Sequence, residues 1–234
     1  RIYIARIPGV GTTALGAVGL CFPIIVIITA FSNLFGGGGA PLFSISRGTK
    51  DNDTAQKIMN ISFTMLCICA ILIMVVGLLF ANPILTLFGA SREALVYAIP
   101  YLMIYLIGTL PSMIATGMNP FINAQGYSTI GMLSVAIGAV ANIILDPVFI
   151  FAMNLGIRGA AIATILSQFL SAAFVLYFLH NKSEFKVQFV PVKAWYECRK
   201  LAKDITSLGT AGFIMQLTNS LVSICANNVL SVTG

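Results

Sequence analysis

The sequence predicts an all-α integral membrane protein, a polytopic helix bundle of about six spans. Of its 234 residues, 58% are hydrophobic and only 9% are charged, where soluble domains carry about 25% charged residues. Mean hydropathy is +0.96. Apolar runs long enough to cross a hydrocarbon core, which takes roughly 20 residues each, follow one another along the chain.

The first span is predicted from Ala14 to Ile45. Gly36 to Gly39 and Pro41 mark its lower end as close packing or a hinge, so an irregular or bent segment is expected there. Arg47 to Lys57 is the first strongly polar stretch. The second span runs from Ile58 to Ala81, and after Pro83 the residues Ile84 to Phe88 read as a short interfacial turn. The third, Ala94 to Ile122, contains Pro100, Pro111 and Pro120, and a bend is expected near Pro111. Helix breakers at membrane depth require protein or water to satisfy the backbone they free. The fourth runs from Ile130 to Met153, the fifth from Gly159 to Leu179 and the sixth from Ile205 to Val232.

Between the last two lies the longest polar segment, Asn181 to Asp204, with Lys182, Lys186, Lys193, Arg199, Lys200 and Lys203. It reads either as an interfacial amphipathic helix from Val192 to Lys203, with Trp195 and Tyr196 at headgroup level, or as a solvated loop. His180, the one histidine, reads as a solvated helix end. The chain starts at Arg1 and ends just past an apolar run, so a fragment of a longer protein is expected.

The net charge is +6. The basic residues sit between apolar runs, so their placement is topological, and no basic patch with interleaved aromatics offers a nucleic-acid surface. The bilayer is the partner this implies. If the first span runs from outside to inside, Arg47, Lys50, Lys57 and the six basic residues of the 181–204 segment are cytoplasmic. Arg1, Arg6, Arg92 and Arg158 are then outside. The excess of Lys and Arg selects this orientation. The five cysteines show neither metal spacing nor a disulfide framework.

Six of the seven acidic residues lie in polar loops or at span ends. Asp146 alone sits inside an apolar run. A charged carboxylate there costs about 2.5 kcal/mol or more, a cost that protonation or a bound cation offsets. Asn142 lies four residues earlier on the same face, with Ser134 and Gly138 further along it. Pro147 removes a backbone donor next to the carboxylate. The following span adds Thr164, Ser167, Gln168 and Ser171 at helical spacing, as site residues or as polar contacts between helices. Tyr101 and Asn119 are polar handles in the third span, and Tyr101 also fits an interfacial anchor. Hydrolase, zincin and phosphate-loop motifs are missing, which points to an ion gradient as energy source rather than a nucleotide or other cofactor.

Five stretches stand out together: Gly16-Ala-Val-Gly-Leu-Cys-Phe-Pro-Ile, the Gly-rich Ala40-Pro41 end of the first span, Asn119-Pro-Phe-Ile-Asn-Ala-Gln-Gly, Asn142-Ile-Ile-Leu-Asp-Pro-Val-Phe-Ile, and Gly156-Ile-Arg-Gly-Ala-Ala-Ile-Ala-Thr-Ile-Leu-Ser-Gln. In their order and spacing they resemble the multidrug and toxin extrusion (MATE) family, in its prokaryotic branch of DinF-like and MepA-like exporters. The resemblance implies an exporter of cationic or amphipathic molecules, driven by Na+ or H+ and built of twelve helices in two lobes. Residues 1–180 would then be N-lobe helices lacking the first one, with its acidic residue. Residues 181–204 would be a cytoplasmic interlobe linker, and 205–234 the first C-lobe helix. It further implies Asp146, Asn142 and Thr164 as the cation or proton site, and Tyr101, Asn119 and Gln168 in the substrate cavity. No metal beyond Na+ is implied, and the location is the inner or plasma membrane. A lipid-linked oligosaccharide flippase of the same superfamily fits less well, since no Lys or Arg lies mid-span. An intramembrane enzyme would need a nucleophile with its base or paired carboxylates. A passive scaffold leaves the cost of Asp146 unexplained.

The orientation predicts that Lys50→Cys, in an otherwise cysteine-free protein, stays unlabelled by an impermeant thiol reagent added to intact cells and is labelled after permeabilisation. Labelling from outside would reverse the orientation.

Overall fold

The computed structural model describes residues 3–4, 11–191 and 195–233, and among these every regular element is helical. The helices are α1 (Gly11–Gly48), α2 (Asn52–Leu87), α3 (Arg92–Ile107), α4 (Thr109–Gly117), α5 (Asn119–Ala124), α6 (Ser128–Pro147), α7 (Gly156–Tyr177) and α8 (Trp195–Thr233). Single π-helical turns, Val148–Ala152 and Phe178–Lys182, extend α6 and α7. Five of the helices are long and apolar enough to cross a membrane, and α3 with α4–α5 makes a sixth, broken span bent by 57°. The chain is thus the polytopic bundle that its hydropathy predicts. Leu72, Leu79, Met132 and Ile143 are among the large apolar side chains turned outward, where lipid rather than water is the solvent.

Both ends of the bundle carry the turns. At one end Arg47 donates to the Ala124 carbonyl (3.1 Å) and pairs with Glu184 (3.8 Å). Ser183 bonds Gln125, and Tyr127 packs edge-on against Phe178. At the other end Tyr3 meets Phe151. Asp51 caps α2 by accepting from the Thr54 amide (3.0 Å). Hydrogen bonding from Thr54 holds that carboxyl below the usual carboxylate range. Ser91 caps α3 in the same way through Ala94.

The tetraglycine does not interrupt α1, which stays helical through Pro41. Three of its four glycines instead admit other helices at close range. A Cβ on Gly36 would collide with the Gly117 carbonyl of α4. One on Gly38 would strike Ile205 and Gly209 of α8, and one on Gly39 would meet Ser62 and Phe121. Gly37 faces open space. Small residues at such crossings let helix backbones approach where lipid supplies no hydrophobic drive. The bend does appear in the third span. It falls at Gly108, and Pro111 sits in the first turn of α4, where a missing N–H has no helical partner to lose.

α2 is longer than its apolar run. It absorbs Asn52–Lys57 and the expected turn after Pro83, and its kink falls at Phe80 (φ −114°, ψ 18°). The Pro83 ring opposes the carbonyl one turn back, which is the usual cause of such a kink. α6 begins two residues before its expected start and α7 three residues before.

The 181–204 segment differs most from expectation. Residues 183–191 are not a free solvated loop but an extended strap along α2. The amides of Lys186, Gln188 and Val190 donate to Gln56 (3.1 Å), Asn60 (2.9 Å) and Thr64 (3.0 Å). Alternate residues of an extended chain advance about 6.6 Å and every fourth residue of a helix about 6 Å, so the two repeats match. Phe185 and Phe189 pack on Phe43 and Phe63. Of the helix expected from Val192 to Lys203, residues 192–194 lie outside the described residues and residues 195–203 are helical, continuous with α8. α8 runs antiparallel to α1, with Phe213 against Phe31 and Ser220 donating to the Pro23 carbonyl (3.1 Å).

Two outcomes follow from this packing. Gly36→Val should destabilise the purified protein by about 1–3 kcal/mol, the scale of overpacking, while Gly37→Ala should leave the unfolding temperature no lower than that of the wild type, with a gain of up to about 1 kcal/mol from helix propensity. Asn60→Ala should speed hydrogen exchange at the Gln188 amide roughly tenfold, as for loss of one bond, without affecting amides of α1.

Candidate functional site

α6 and α7 pack side by side and bring the three predicted ion ligands together. Asp146, near the end of α6, is 7% exposed. Asn142, one turn earlier, points its Nδ2 between Asp146 Oδ1 (3.4 Å) and Thr164 Oγ1 on α7 (3.5 Å). The Thr164 hydroxyl spends its proton on the Ala160 carbonyl (2.9 Å), leaving oxygen lone pairs toward Asn142. The cluster therefore holds one carboxylate and one hydroxyl oxygen bridged by the Asn142 amide NH2 group; with that amide turned over, its oxygen joins them as a third donor of the type that hard cations prefer. Among the described residues no group of three His, Cys, Asp or Glu side chains gathers elsewhere.

Pro147 shapes the end of this helix. It cannot donate to the carbonyl four residues back, and beyond it the ladder widens to i→i+5, with Met153 donating to the Val148 carbonyl (2.9 Å). A π-turn directly after a buried carboxylate leaves backbone carbonyls beside it less tightly paired. Such turns are frequent at functional sites.

Asn142 and Thr164 also line a cavity of about 470 Å³ between the α4–α5 limb and the α6–α7 pair. This size suits a small organic molecule. Asn119, Gly138 and Gln168 belong to its wall, which contains no Lys, Arg, Asp or Glu. Asn119 is already engaged, donating to the Gly131 carbonyl (2.8 Å) and Ser134 Oγ (2.7 Å). Ser171 ties α7 to the Ser134 carbonyl (2.8 Å), and Ser167 bonds back to Ala163 (2.7 Å). These serines act as contacts between and within helices. Tyr101 is buried and stacks on Tyr105 (6.3 Å, 19°) rather than lining the cavity. Tyr105 was not singled out by its sequence context. Its hydroxyl accepts from Gln168 Nε2 (3.3 Å), and its position four residues after Tyr101, on the same helix face, is the signal that could have found it. His180 is exposed at its helix end, as predicted.

The MatE family model matches residues 2–148. The multidrug export protein MepA of Staphylococcus haemolyticus (strain JCSC1435) is 29% identical over 224 residues, covering 94% of this chain and 48% of that protein. MepA of Staphylococcus aureus (strain MRSA252) is 26% identical over 221 residues, with the same coverage. The chain spans about half the length of the curated relatives it matches. Among solved structures, an inward-facing multidrug-resistance MATE transporter of the MOP superfamily superposes with a TM-score of 0.85 at 28% identity, over 95% of this chain and 50% of that one. An outward-facing structure gives 0.84 at 28% identity, over 94% and 48%. With the family model spanning well over half of its residues, this chain belongs to the MatE family, a family of multidrug transporters rather than of enzymes.

Proposed function

We propose that this chain forms the N-lobe side of a plasma-membrane exporter that expels cationic or amphipathic drugs by antiport with Na+ or H+. In this reading residues 1–180 are N-lobe helices, 181–204 the interlobe linker and 205–234 the first helix of the C-lobe. The 47–57 and 181–204 segments face the cytoplasm, where the positive-inside rule puts their nine basic residues. The outward apolar face of α8, with Ile214, Met215, Leu221 and Val222 exposed, suits a helix whose further neighbours belong to the second lobe.

The observation that carries the proposal is Asp146, buried in an apolar helix with Asn142 and Thr164 at its side. Its charged form is costly unless an ion or a cationic substrate is near. Occupancy by the incoming ion and by the outgoing drug are then mutually exclusive, and competition couples the two fluxes. Linkage makes the effect reciprocal, so drug weakens ion binding by the same factor. Asn142 and Thr164 orient the carboxylate or complete a cation shell. A wall without basic residues favours cations over the pyrophosphate of a lipid-linked oligosaccharide.

Drug efflux from vesicles containing the full-length protein, with Na+ and pH gradients imposed separately, tests the reading and identifies the ion. Asp146→Asn should lower gradient-driven efflux at least roughly tenfold, within the usual range of coupling energies, with expression and insertion retained because the amide is cheaper to bury. Thr164→Ala removes one neutral ligand, worth about 1 kcal/mol, and should weaken coupling only several-fold. Wild-type pumping by well-expressed Asp146→Asn would reduce Asp146 to a structural contact.

A further inference from the structure

One polar atom beside the cavity is left over from the bonding described above. Gln168 Oε1 is buried and has no hydrogen-bond partner, while Nε2 of the same amide donates to the Tyr105 hydroxyl (3.3 Å). Tyr105 comes from α3, is 4% exposed and stays behind the cavity wall, which Gln168 itself forms. Its ring lies nearly parallel to that of Tyr101, 6.3 Å away. The neighbouring polar groups are occupied: Asn119 by Gly131 and Ser134, Ser171 by Ser134, and Thr116 by Ser112.

A buried amide oxygen without a partner is unfavourable; Gln168 forms part of the cavity wall, and a turn of its amide toward the cavity lets an N–H from a molecule there relieve it. The phenol hydroxyl both donates and accepts. If the amide turns over, Tyr105 donates to Oε1, and Nε2 is left with an N–H for the cavity. The Tyr105–Gln168 bond survives in both arrangements, so changing polarity sacrifices no protein hydrogen bond.

We propose that Tyr105 and Gln168 form a reversible hydrogen-bonding pair that sets substrate selectivity. Gln168 offers an acceptor or a donor to the substrate, and Tyr105 is the positioning residue that holds the amide in either sense. The substrate class this favours is an organic cation or amphipathic molecule carrying an N–H or C=O group. A cation with no such group leaves one end of the amide unpaired and is disfavoured. The inference rests on the reading of this cavity as the substrate cavity.

The test is binding to the purified full-length protein, with ethidium, whose aryl amines carry N–H groups, and tetraphenylphosphonium, which has neither donor nor acceptor. Gln168→Leu should raise the Kd for ethidium roughly tenfold, the size of one hydrogen bond in a closed site. It should leave tetraphenylphosphonium within about twofold. Tyr105→Phe keeps the ring and its stacking and should raise the ethidium Kd several-fold, again sparing tetraphenylphosphonium. The double variant should be no weaker than Gln168→Leu alone, because the two residues act as one unit. Equal loss of both ligands, an unchanged ethidium Kd, or additive effects would overturn the pair. If Gln168→Leu lowers the unfolding temperature, Gln168→Met carries the same comparison. Export is scored separately in vesicles. Its absence in the wild type counts against antiport and leaves the binding cycle to decide the pair.

Discussion

In a bilayer, apolar side chains gain nothing by leaving lipid for protein, so helices associate where their backbones can come close. The packing of this bundle depends on one such place. Over a single turn α1 presents Gly36 to α4, Gly38 to α8 and Gly39 to α2 and α5. The contact is reciprocal, since Gly117 and Gly209 supply the matching gaps from the other side. A side chain at any of these positions would separate α1 from a neighbour. The α4–α5 limb that walls the cavity and the start of α8 are both positioned from this turn.

The chemistry sits at the opposite extreme of regularity. α1 stays helical despite two prolines, whereas the site lies where helices break or widen: at Gly108, at Met118 and after Pro147. Rigid crossings hold these irregular places without closing them. Polar side chains near the site satisfy their protons on their own helices, as Thr164 does on Ala160 and Ser167 on Ala163. That habit keeps the helices intact in lipid and leaves oxygen lone pairs for an ion.

Much of this was legible in the sequence because lipid is an exacting solvent. Run lengths of about 20 apolar residues define spans, and a lone carboxylate inside one stands out on cost alone. The four-residue spacing of Asn142 and Asp146 placed both on one face, and the family resemblance supplied Thr164. What stayed hidden depends on partners distant in sequence. A Gly-rich turn with a proline reads as a hinge when the helices it admits are unknown, yet it is part of a continuous helix with those helices packed on it. Tyr105 looks like any aromatic on an apolar helix until Gln168 is seen against it. The 183–191 strap has the composition of a loop, and its order comes from acceptors on α2 some 130 residues away.

The strap carries a mechanical consequence. Its last bond to α2 is at Val190 and the described part of α8 starts at Trp195. Five residue steps, fully extended, reach about 17 Å. While the strap is bound, Trp195 therefore lies within that distance of Thr64 on α2, and whatever is built onto α8 stays within reach of α2. That reach grows only by releasing Val190, Gln188 and Lys186 in turn, two residues at a time, in steps of roughly 7 Å.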